Sequence, residues 1–276
     1  MVDTDVANFF GSLDWNLLLK IIKRRVNDGA LIRLIGAWLN AGVMEEGTLI
    51  YPTEGTPQGA VISPVLSNIF LHHVLDRWYV RDVKPRLQGK SFLVRFADDF
   101  LIGCEREDDA RRVLAALPKR FSLFKLTIHP EKTALIRFQR PAFKERHDRE
   151  NGTFDFLGFT HFWAKSRQGS WVIKRRTAKK RLRRAMKSLW QWCRNFRHEN
   201  LLKQYKTLCQ KLRGHYQYYG IRGNYRPLEL MKDYAEKAWR YWLSRRGSER
   251  PISWDTFDRL RQTMPLPKPR IHHATC

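Results

Sequence analysis

The segment Ser91–Cys104, SFLVRFADDFLIGC, constrains the fold of this chain more than any other. Two short apolar runs flank the adjacent carboxylates Asp98 and Asp99, and apolar runs around a polar break predict a β-hairpin. Neighbouring carboxylates repel each other and retain protons unless a cation neutralises them, which a divalent metal would do. A solvated turn is the alternative interpretation, because Asp is common at turns. A two-metal site for phosphoryl transfer needs a further carboxylate from elsewhere in the chain.

Four further blocks supply the context for this pair. In chain order they are DTDVANFF (Asp3–Phe10), with Asp5 on a predicted strand, GTPQGAVISPVLSN (Gly55–Asn68), LTIHPEKT (Leu126–Thr133) and FDFLGF (Phe154–Phe159). Together with the hairpin, and in this order, these blocks resemble the conserved blocks of reverse transcriptases. The full set is most similar to the proteins encoded in group II introns, and an ordered set is far more specific than any single short motif.

Individual blocks match the family closely. The run from Asp5 to Phe10 corresponds to the family's Asp-Ile-Lys-Gly-Phe-Phe, the run from Phe96 to Asp99 to Tyr-Ala-Asp-Asp, and those at 57–59 and 130–133 to Pro-Gln-Gly and Pro-Glu-Lys-Thr. Three departures stand where the family often has Lys, Asp and His: Ala7, Gly11 and Trp15. None of them removes a metal ligand.

The resemblance implies RNA-templated DNA synthesis with Mg²⁺ as cofactor. It implies three catalytic residues that also bind the metal: Asp5, Asp98 and Asp99. It implies four residues that handle the nucleotide or the primer–template: Phe10 beneath the incoming sugar, Gln58 and Gly59 near the nucleotide and template, and Lys132 at the primer or a phosphate. The expected partners are group II intron RNA, an RNA template with a DNA primer, and deoxynucleoside triphosphates, without a membrane.

Members of this family normally carry a long segment, the fingers, ahead of the block that contains Asp5, whereas this chain begins two residues before Asp3. We therefore expect a fragment, a truncated gene product or one part of a split protein. Positioning and charge neutralisation supply most of the rate of phosphoryl transfer. We accordingly expect negligible reverse transcriptase activity from the chain alone, and exposed apolar surface that the fingers would cover.

Charge is divided unevenly along the chain. The net formal charge is +25, of which residues 1–159 contribute +3 and residues 160–276 contribute +22. Such a basic half is typical of a polyanion-binding protein, whereas an ordinary solvated surface mixes the two signs. The sequence predicts a reverse transcriptase palm at 1–163 and a basic helical thumb, or maturase-specific RNA-binding domain, at 164–276. The predicted fold class is α+β: a partial palm, made of an antiparallel sheet with helices, followed by an all-α thumb.

Helical spacing from Thr177 onward separates an apolar stripe, which includes Leu189, Cys193 and Phe196, from a basic face. The next block, at 212–224, interleaves arginines with tyrosines, which stack on RNA bases in some proteins and pack in a core in others; the residues alone favour neither. The resemblance to the maturase-specific domain favours RNA. The predicted RNA-binding residues are Lys180, Arg183, Arg184, Lys187, Arg194, Arg213 and Arg222.

The remaining composition narrows the class of protein. The four cysteines form no Cys-x-x-Cys pair, so a zinc finger is not expected. No apolar run approaches the roughly 18 residues of a membrane span, and no signal peptide is visible, so the cytoplasm is the expected compartment. Two alternatives stay open: an RNA-binding splicing cofactor or inactive fragment without polymerase activity, and a retron or other non-intron reverse transcriptase. The basic helix and the block at 212–224 argue against the second.

Overall fold

The computed structural model describes residues 1–40, 62–141, 152–247 and 251–273, together with the backbone of 43–45 and 48–50. Two compact units are present, Met1–Phe138 and Gln139–Cys276. The mixed architecture of antiparallel sheets and helices confirms the predicted fold class. The predicted domain boundary at 163/164 falls within a strand of the second unit, and the assignment of palm and thumb stays a prediction.

The first unit is built on a four-stranded antiparallel sheet. In chain order its elements are β1 (Val2–Thr4), β2 (Val6–Ala7), α1 (Trp15–Lys23), α2 (Gly29–Asn40), β3 (Val43–Glu45), β4 (Thr48–Ile50), α3 (Ser63–Leu71), β5 (Ser91–Phe96), β6 (Asp99–Cys104), α4 (Glu107–Ser122), β7 (Thr127–Ile128) and β8 (Ala134–Leu135). The sheet has the order β5-β6-β1-β8, and β2 pairs separately with β7, as β3 does with β4. The short strand β1 is therefore central, with Val2 and Thr4 buried.

Helices α1 and α2 form where the sequence predicts two helices separated near 27–29. Asp14 caps α1 by accepting a hydrogen bond from the backbone N–H of Leu17 at 2.8 Å, which satisfies one of the free N–H groups at a helix start. In α2, however, only Ile35 and Leu39 are buried. The apolar side chains of Leu31, Leu34 and Trp38 are exposed, so part of the expected helical stripe lies at the surface of this unit.

Helix α3 does not continue as the ordinary helix that the sequence predicts between Ser63 and Tyr79. It passes into two π-helical segments, His72–Asp76 and Tyr79–Val83, and then a 3-10 turn that contains Pro85. The side chain of Arg120, from α4, donates to the carbonyls of His73 at 3.2 Å and Val74 at 2.9 Å. Such π segments are frequent at functional sites, and the first of these two contains Asp76, which accepts hydrogen bonds from Arg95 of the hairpin.

The core of the first unit joins the sheet to the helices, and α4 contributes to it through Phe121. Phe100 of β6 stacks on Phe121 of α4 with ring centroids 5.9 Å apart, and both are fully buried. Truncating such a buried ring typically costs about 3–5 kcal/mol. This packing fixes β6, and with it the position of Asp99 at the start of that strand.

The second unit combines a small sheet with four helices among the described residues. In chain order its elements are β9 (Phe154–Phe156), β10 (Phe159–Lys165), β11 (Trp171–Thr177), α5 (Lys179–Asn195), α6 (Leu201–Tyr219), α7 (Tyr225–Leu243) and α8 (Trp254–Thr263). The sheet order is β11-β10-β9, all antiparallel. For the segment at 164–176 the sequence predicts a loop or a short hairpin, and the structure has a hairpin there, made by the end of β10 and by β11. The helical part of the chain begins at Lys179.

The helices of the second unit enclose an aromatic core around Trp239, which is fully buried. Buried Gln204 accepts from the Trp239 indole N–H at 2.9 Å and donates to the carbonyl of Phe196 at 2.7 Å. Phe196 itself is 44% exposed. Its expected place in the apolar stripe is therefore wrong, because α5 ends one residue earlier. The tail from Pro265 to Arg270, which the sequence predicts to be extended, contains no helix or strand, and its Pro267 carbonyl accepts from the Tyr216 hydroxyl at 3.2 Å.

None of the helices in the described ranges is long and apolar enough to span a bilayer.

Candidate functional site

The predicted hairpin is present as β5 and β6. Phe96 pairs with Asp99, so Ala97 and Asp98 form a two-residue turn. Ala97 has φ of +54°, and positive φ at the first turn residue is what the tight turns of twisted hairpins require. Asp98 therefore lies in the turn and is half-buried, whereas Asp99 is the first residue of β6 and is exposed.

Arg95 fixes this turn from below. Its Nη1 donates to the carbonyl of Ala97 at 3.0 Å and to the side-chain oxygen of Asn68 at 2.8 Å. Its Nε and Nη2 donate to the two oxygens of Asp76 at 2.8 and 2.7 Å, a bidentate geometry that holds the guanidinium in one orientation. The turn that carries Asp98 is thus tied to α3 and to the first π-helical segment.

Asp5 lies between β1 and β2, at the end of the sheet that also carries the hairpin turn. Strand β1 pairs with β6 so that Thr4 lies opposite Phe100. Asp5 follows the last paired residue of β1, and Asp99 precedes Phe100 on β6. The antiparallel register therefore brings these two acids, which are distant in sequence, to the same end of the sheet.

Two further strand pairings bring Lys132 to Asp5. Strand β7 pairs with β2 and β8 pairs with β1, so the connection between β7 and β8 passes beside Asp5. Lys132 Nζ donates to Asp5 Oδ2 at 2.6 Å. That hydrogen bond and the charge of Asp5 raise the pKa of the Lys132 ammonium, and the charge of Asp99 raises it further. Asp5 and Asp99 thus act on one cation.

This donor set fits Mg²⁺, which prefers carboxylate oxygens, and a cation, the Lys132 ammonium, already lies on Asp5. In the described part of the chain, no group of three or more His, Cys, Asp or Glu side chains is arranged as a metal-binding cluster. The convergence of Asp5, Asp98 and Asp99 on a metal ion therefore stays a prediction.

Of the three other residues predicted to handle the nucleotide or the primer–template, Phe10 lies in the described part of the chain. Phe10 is half-buried, and its ring meets that of Phe9 edge to face with centroids 5.4 Å apart. Gln58 and Gly59 lie outside the described residues. At Gly11 a Cβ would lie 2.5 Å from the Asn8 side-chain amide, so a larger residue there would require that side chain to move.

All seven predicted RNA-binding residues are exposed. Four of them share the outer face of α5, three or four residues apart: Lys180, Arg183, Arg184 and Lys187. No carboxylate of the described residues forms an ion pair with these four, and no acid occurs between Asp155 and Glu199. The opposite face buries Leu189 and Cys193. A helix face with such unbalanced positive charge is suited to phosphate groups.

Sequence reasoning missed Arg95 and Asp76. A signal for Arg95 was present, since it is a lone cation in the otherwise apolar first arm of the hairpin. For its partner there was none, because the π-helical segment that contains Asp76 is not visible in the sequence pattern. The pairing depends on the tertiary structure alone.

Comparisons with known proteins identify the family to which the first part of the chain is similar. Residues 1–161 match the family model described as reverse transcriptase (RNA-dependent DNA polymerase). The chain is 30% identical over 127 residues to protein YkfC of Escherichia coli, an alignment that covers 37% of this chain and 33% of YkfC. It is 34% identical over 90 residues to the group II intron-encoded protein LtrA of Lactococcus lactis, covering 33% of this chain and 15% of LtrA. The predicted resemblance to group II intron-encoded reverse transcriptases is confirmed.

A further protein and a solved structure match larger shares of this chain. The putative COX1/OXI3 intron 1 protein of Saccharomyces cerevisiae is 26% identical over 182 residues, covering 49% of this chain and 22% of that protein. Among solved structures, telomerase from Candida albicans has a TM-score of 0.44 and 13% identity, covering 95% of this chain and 46% of the telomerase chain. The chain spans a third or less of the length of the curated relatives named here.

Proposed function

This chain belongs to the reverse transcriptase (RNA-dependent DNA polymerase) family, and we propose that it serves a group II intron in Mg²⁺-dependent, RNA-directed DNA synthesis and in splicing of the intron RNA. The observation that carries the proposal is the β1–β6 register, which brings Asp5 and Asp99 to one end of the sheet, beside the turn that carries Asp98 and with Lys132 bonded to Asp5. An acid at the end of one strand beside a hairpin with two more is the arrangement that two-metal nucleotidyl transfer needs.

In this proposal Asp5 and Asp98 hold two Mg²⁺ ions, and Asp99 supports them. Bound there, Mg²⁺ would favour the deprotonated primer 3′-hydroxyl and neutralise charge on the triphosphate. Arg95 keeps the turn of Asp98 in place. Lys132 balances the charge of Asp5 in the free protein, and if Asp5 held a metal ion the exposed Lys132 ammonium would be free to turn to a phosphate. Phe10, by family resemblance, lies beneath the incoming sugar.

The second part of the proposal is RNA binding by the basic residues of the second unit. The partners proposed are the group II intron RNA and an RNA template carrying a DNA primer, with deoxynucleoside triphosphates as substrates. The unbalanced positive face of α5 supports this, because counterion release from phosphates drives such binding regardless of sequence. Arg213 of α6 and Arg222, which follows α6, are also exposed and add positive charge to the second unit.

Primer extension tests the polymerase half. Purified chain is incubated with poly(rA)/oligo(dT), dTTP and Mg²⁺, beside Asp98→Asn, which keeps the shape of the side chain and removes its charge. Incorporation of dTTP that depends on Mg²⁺ and is lost in Asp98→Asn supports the proposal, and incorporation well above background would also show that the negligible activity expected from the sequence is wrong. Equal incorporation by the two proteins refutes polymerase activity of this chain.

The second candidate function is an RNA-binding splicing cofactor without polymerase activity. The basic face of α5 favours it independently of the acids. Retained RNA binding together with absent Mg²⁺-dependent incorporation would favour this candidate over the first.

A further inference from the structure

An open cleft of about 670 Å³ lies in the second unit between the small sheet and the second half of α6. Its walls carry three aromatic rings, those of Phe156, Phe159 and Tyr218, with the imidazole of His161 and the guanidinium of Arg175 beside them. Aromatic faces beside a cation are a combination suited to a nucleobase, which offers a π-face and a polar edge.

The aromatic walls are held firmly. Tyr218 stacks on Phe159 at 5.9 Å with the rings nearly parallel, and its hydroxyl donates to the carbonyl of Leu157 at 2.9 Å. Leu157 and Gly158 form the tight turn between β9 and β10, with φ of +50° and +79°. Tyr218 nevertheless remains 54% exposed, so a fixed ring presents a free face.

The polar groups come from the register of the sheet. His161 lies directly opposite Arg175 in the β10–β11 pairing, and His161 stacks on Phe154 at 4.7 Å. Arg175 forms no ion pair with any carboxylate of the described residues. A half-buried guanidinium without a carboxylate partner retains donors for the acceptor edge of a base.

Gly214 is a further sign of an open binding space. It lies within α6 and lines the cleft, and a Cβ at this position would meet no atom within 4 Å. A glycine inside a helix costs up to about 1 kcal/mol relative to alanine. The packing of the free protein does not require this glycine, whereas a ligand in the cleft would approach that helix backbone.

The helix that carries the basic face, α5, starts next to the cleft. The ring of Tyr219 lies 4.8 Å from that of Tyr218. Ala178, the N-cap residue of α5, donates its backbone N–H to the carbonyl of Gly158 at 2.9 Å, in the turn that Tyr218 also bonds. The basic face of α5 therefore begins beside the aromatic walls. A single-stranded RNA could place its phosphates on α5 and one base in the cleft.

We propose that this cleft binds one unpaired base of an RNA, stacked on Tyr218 and hydrogen-bonded along its edge by Arg175. The proposal rests on the RNA binding proposed above and adds a site that distinguishes unpaired bases from duplex. The basic face of α5 supplies affinity, and the cleft supplies the preference for an exposed base.

The test measures binding of the full chain to two stem-loop RNAs by fluorescence anisotropy at fixed salt. The RNAs have the same phosphates, but one carries abasic riboses in its loop. The wild-type protein should bind the abasic loop about tenfold more weakly, the order expected for one stacked base. Arg175→Gln should lose this preference.

Arg176→Gln is the matched control. It removes the same charge from the next residue of β11, whose side chain lies on the opposite face of the sheet over the Phe162 ring at 5.0 Å. Its preference for the intact loop should stay about tenfold. Equal effects of Arg175→Gln and Arg176→Gln on both RNAs would overturn the proposal.

A steric variant provides a second route that changes no charge. Gly214→Leu should fill the cleft and lose the preference, whereas Gln210→Leu, at an exposed position of α6 outside the cleft, should keep it. Thermal unfolding verifies that each variant is folded. If the wild-type protein binds both RNAs tightly and equally, the proposal of a base-binding cleft is refuted, whereas the RNA-binding proposal stands. If it binds neither RNA, both proposals are refuted.

Discussion

The bridge between Arg95 and Asp76 should determine the stability of the hairpin that carries the predicted catalytic acids. We consider Arg95→Met, which keeps much of the side chain's apolar length and removes all four hydrogen bonds to Asp76, Asn68 and the Ala97 carbonyl. The Arg95 side chain is 13% exposed and that of Asp76 is 26% exposed. The variant therefore leaves a partly buried carboxylate without its main partner.

Breaking a fully buried pair costs about 3–5 kcal/mol, and partial exposure of Asp76 places this case near the lower end. We expect a loss of about 3 kcal/mol, of which about 2 kcal/mol is coupling between the two side chains. Asp76 keeps one weaker contact, to His72 Nδ1 at 3.2 Å, which moderates the loss.

Hydrogen exchange of the amides in β5 and β6 is the suitable assay, because it reports local opening in a chain with two units. A loss of about 3 kcal/mol corresponds to roughly 150-fold faster exchange. The cycle of Arg95→Met, Asp76→Asn and the double variant should give a coupling of about 2 kcal/mol. Coupling below about 0.5 kcal/mol would refute the reasoning.

Arg111→Met is the matched control. Arg111 also pairs with a carboxylate, that of Glu107, but the two side chains are 66% and 62% exposed. Exposed pairs contribute at most about 1 kcal/mol, so exchange of the hairpin amides should hardly change.

Three further predictions concern RNA, metal and pH. Replacing Arg183, Arg184 and Lys187 with Glu should weaken RNA binding by at least about 100-fold and lower the slope of log affinity against log salt by about three. In filter binding, the same charge reversal at three exposed cations of the first unit should have little effect: Arg81, Lys84 and Arg86. An equal effect of the two sets would contradict the proposal that α5 binds the RNA. Mg²⁺ at 100 times its Kd should stabilise the first unit by about 2.7 kcal/mol, measured as a rise in its unfolding temperature. Asp98→Asn should lose this rise, and Lys132→Met should show it at lower Mg²⁺ concentration, because the ammonium no longer competes for Asp5. If none of these proteins showed a rise, the result would count against a metal site. Burial lowers the pKa of His215 to about 4. Between that value and the ordinary pKa of roughly 6.5, the unfolded state binds a proton that the folded state does not. The stability of the second unit should therefore fall as the pH decreases from about 6.5 to about 4, and in denaturant titrations His215→Phe, which keeps a ring against Tyr219, should reduce that fall.

The local elements of this chain are determined by its sequence. Apolar runs on both sides of Asp98 and Asp99 specify a hairpin, and the turn at Ala97 and Asp98 confirms it. The spacing of apolar residues specifies α1, α2 and α4, and the stripe opposite the cations specifies α5. These features depend on neighbours within a few residues, which is why a pattern suffices to predict them. The ordered blocks also identify the family, because motif order survives where individual residues change.

Pairings between distant residues were decided by the tertiary structure. Lys132 reaches Asp5 because two separate strand pairings, β1 with β8 and β2 with β7, lie on either side of that acid. The local sequence pattern does not determine the register of either pairing. Arg95 meets Asp76 only after α3 continues into π-helical turns. Arg175 enters the cleft because β11 pairs with β10 in a register that sets it opposite His161. The sequence determined which chemical groups this protein has and which elements carry them; the tertiary register decided which groups meet, since a shift of one residue along a strand turns every side chain to the opposite face.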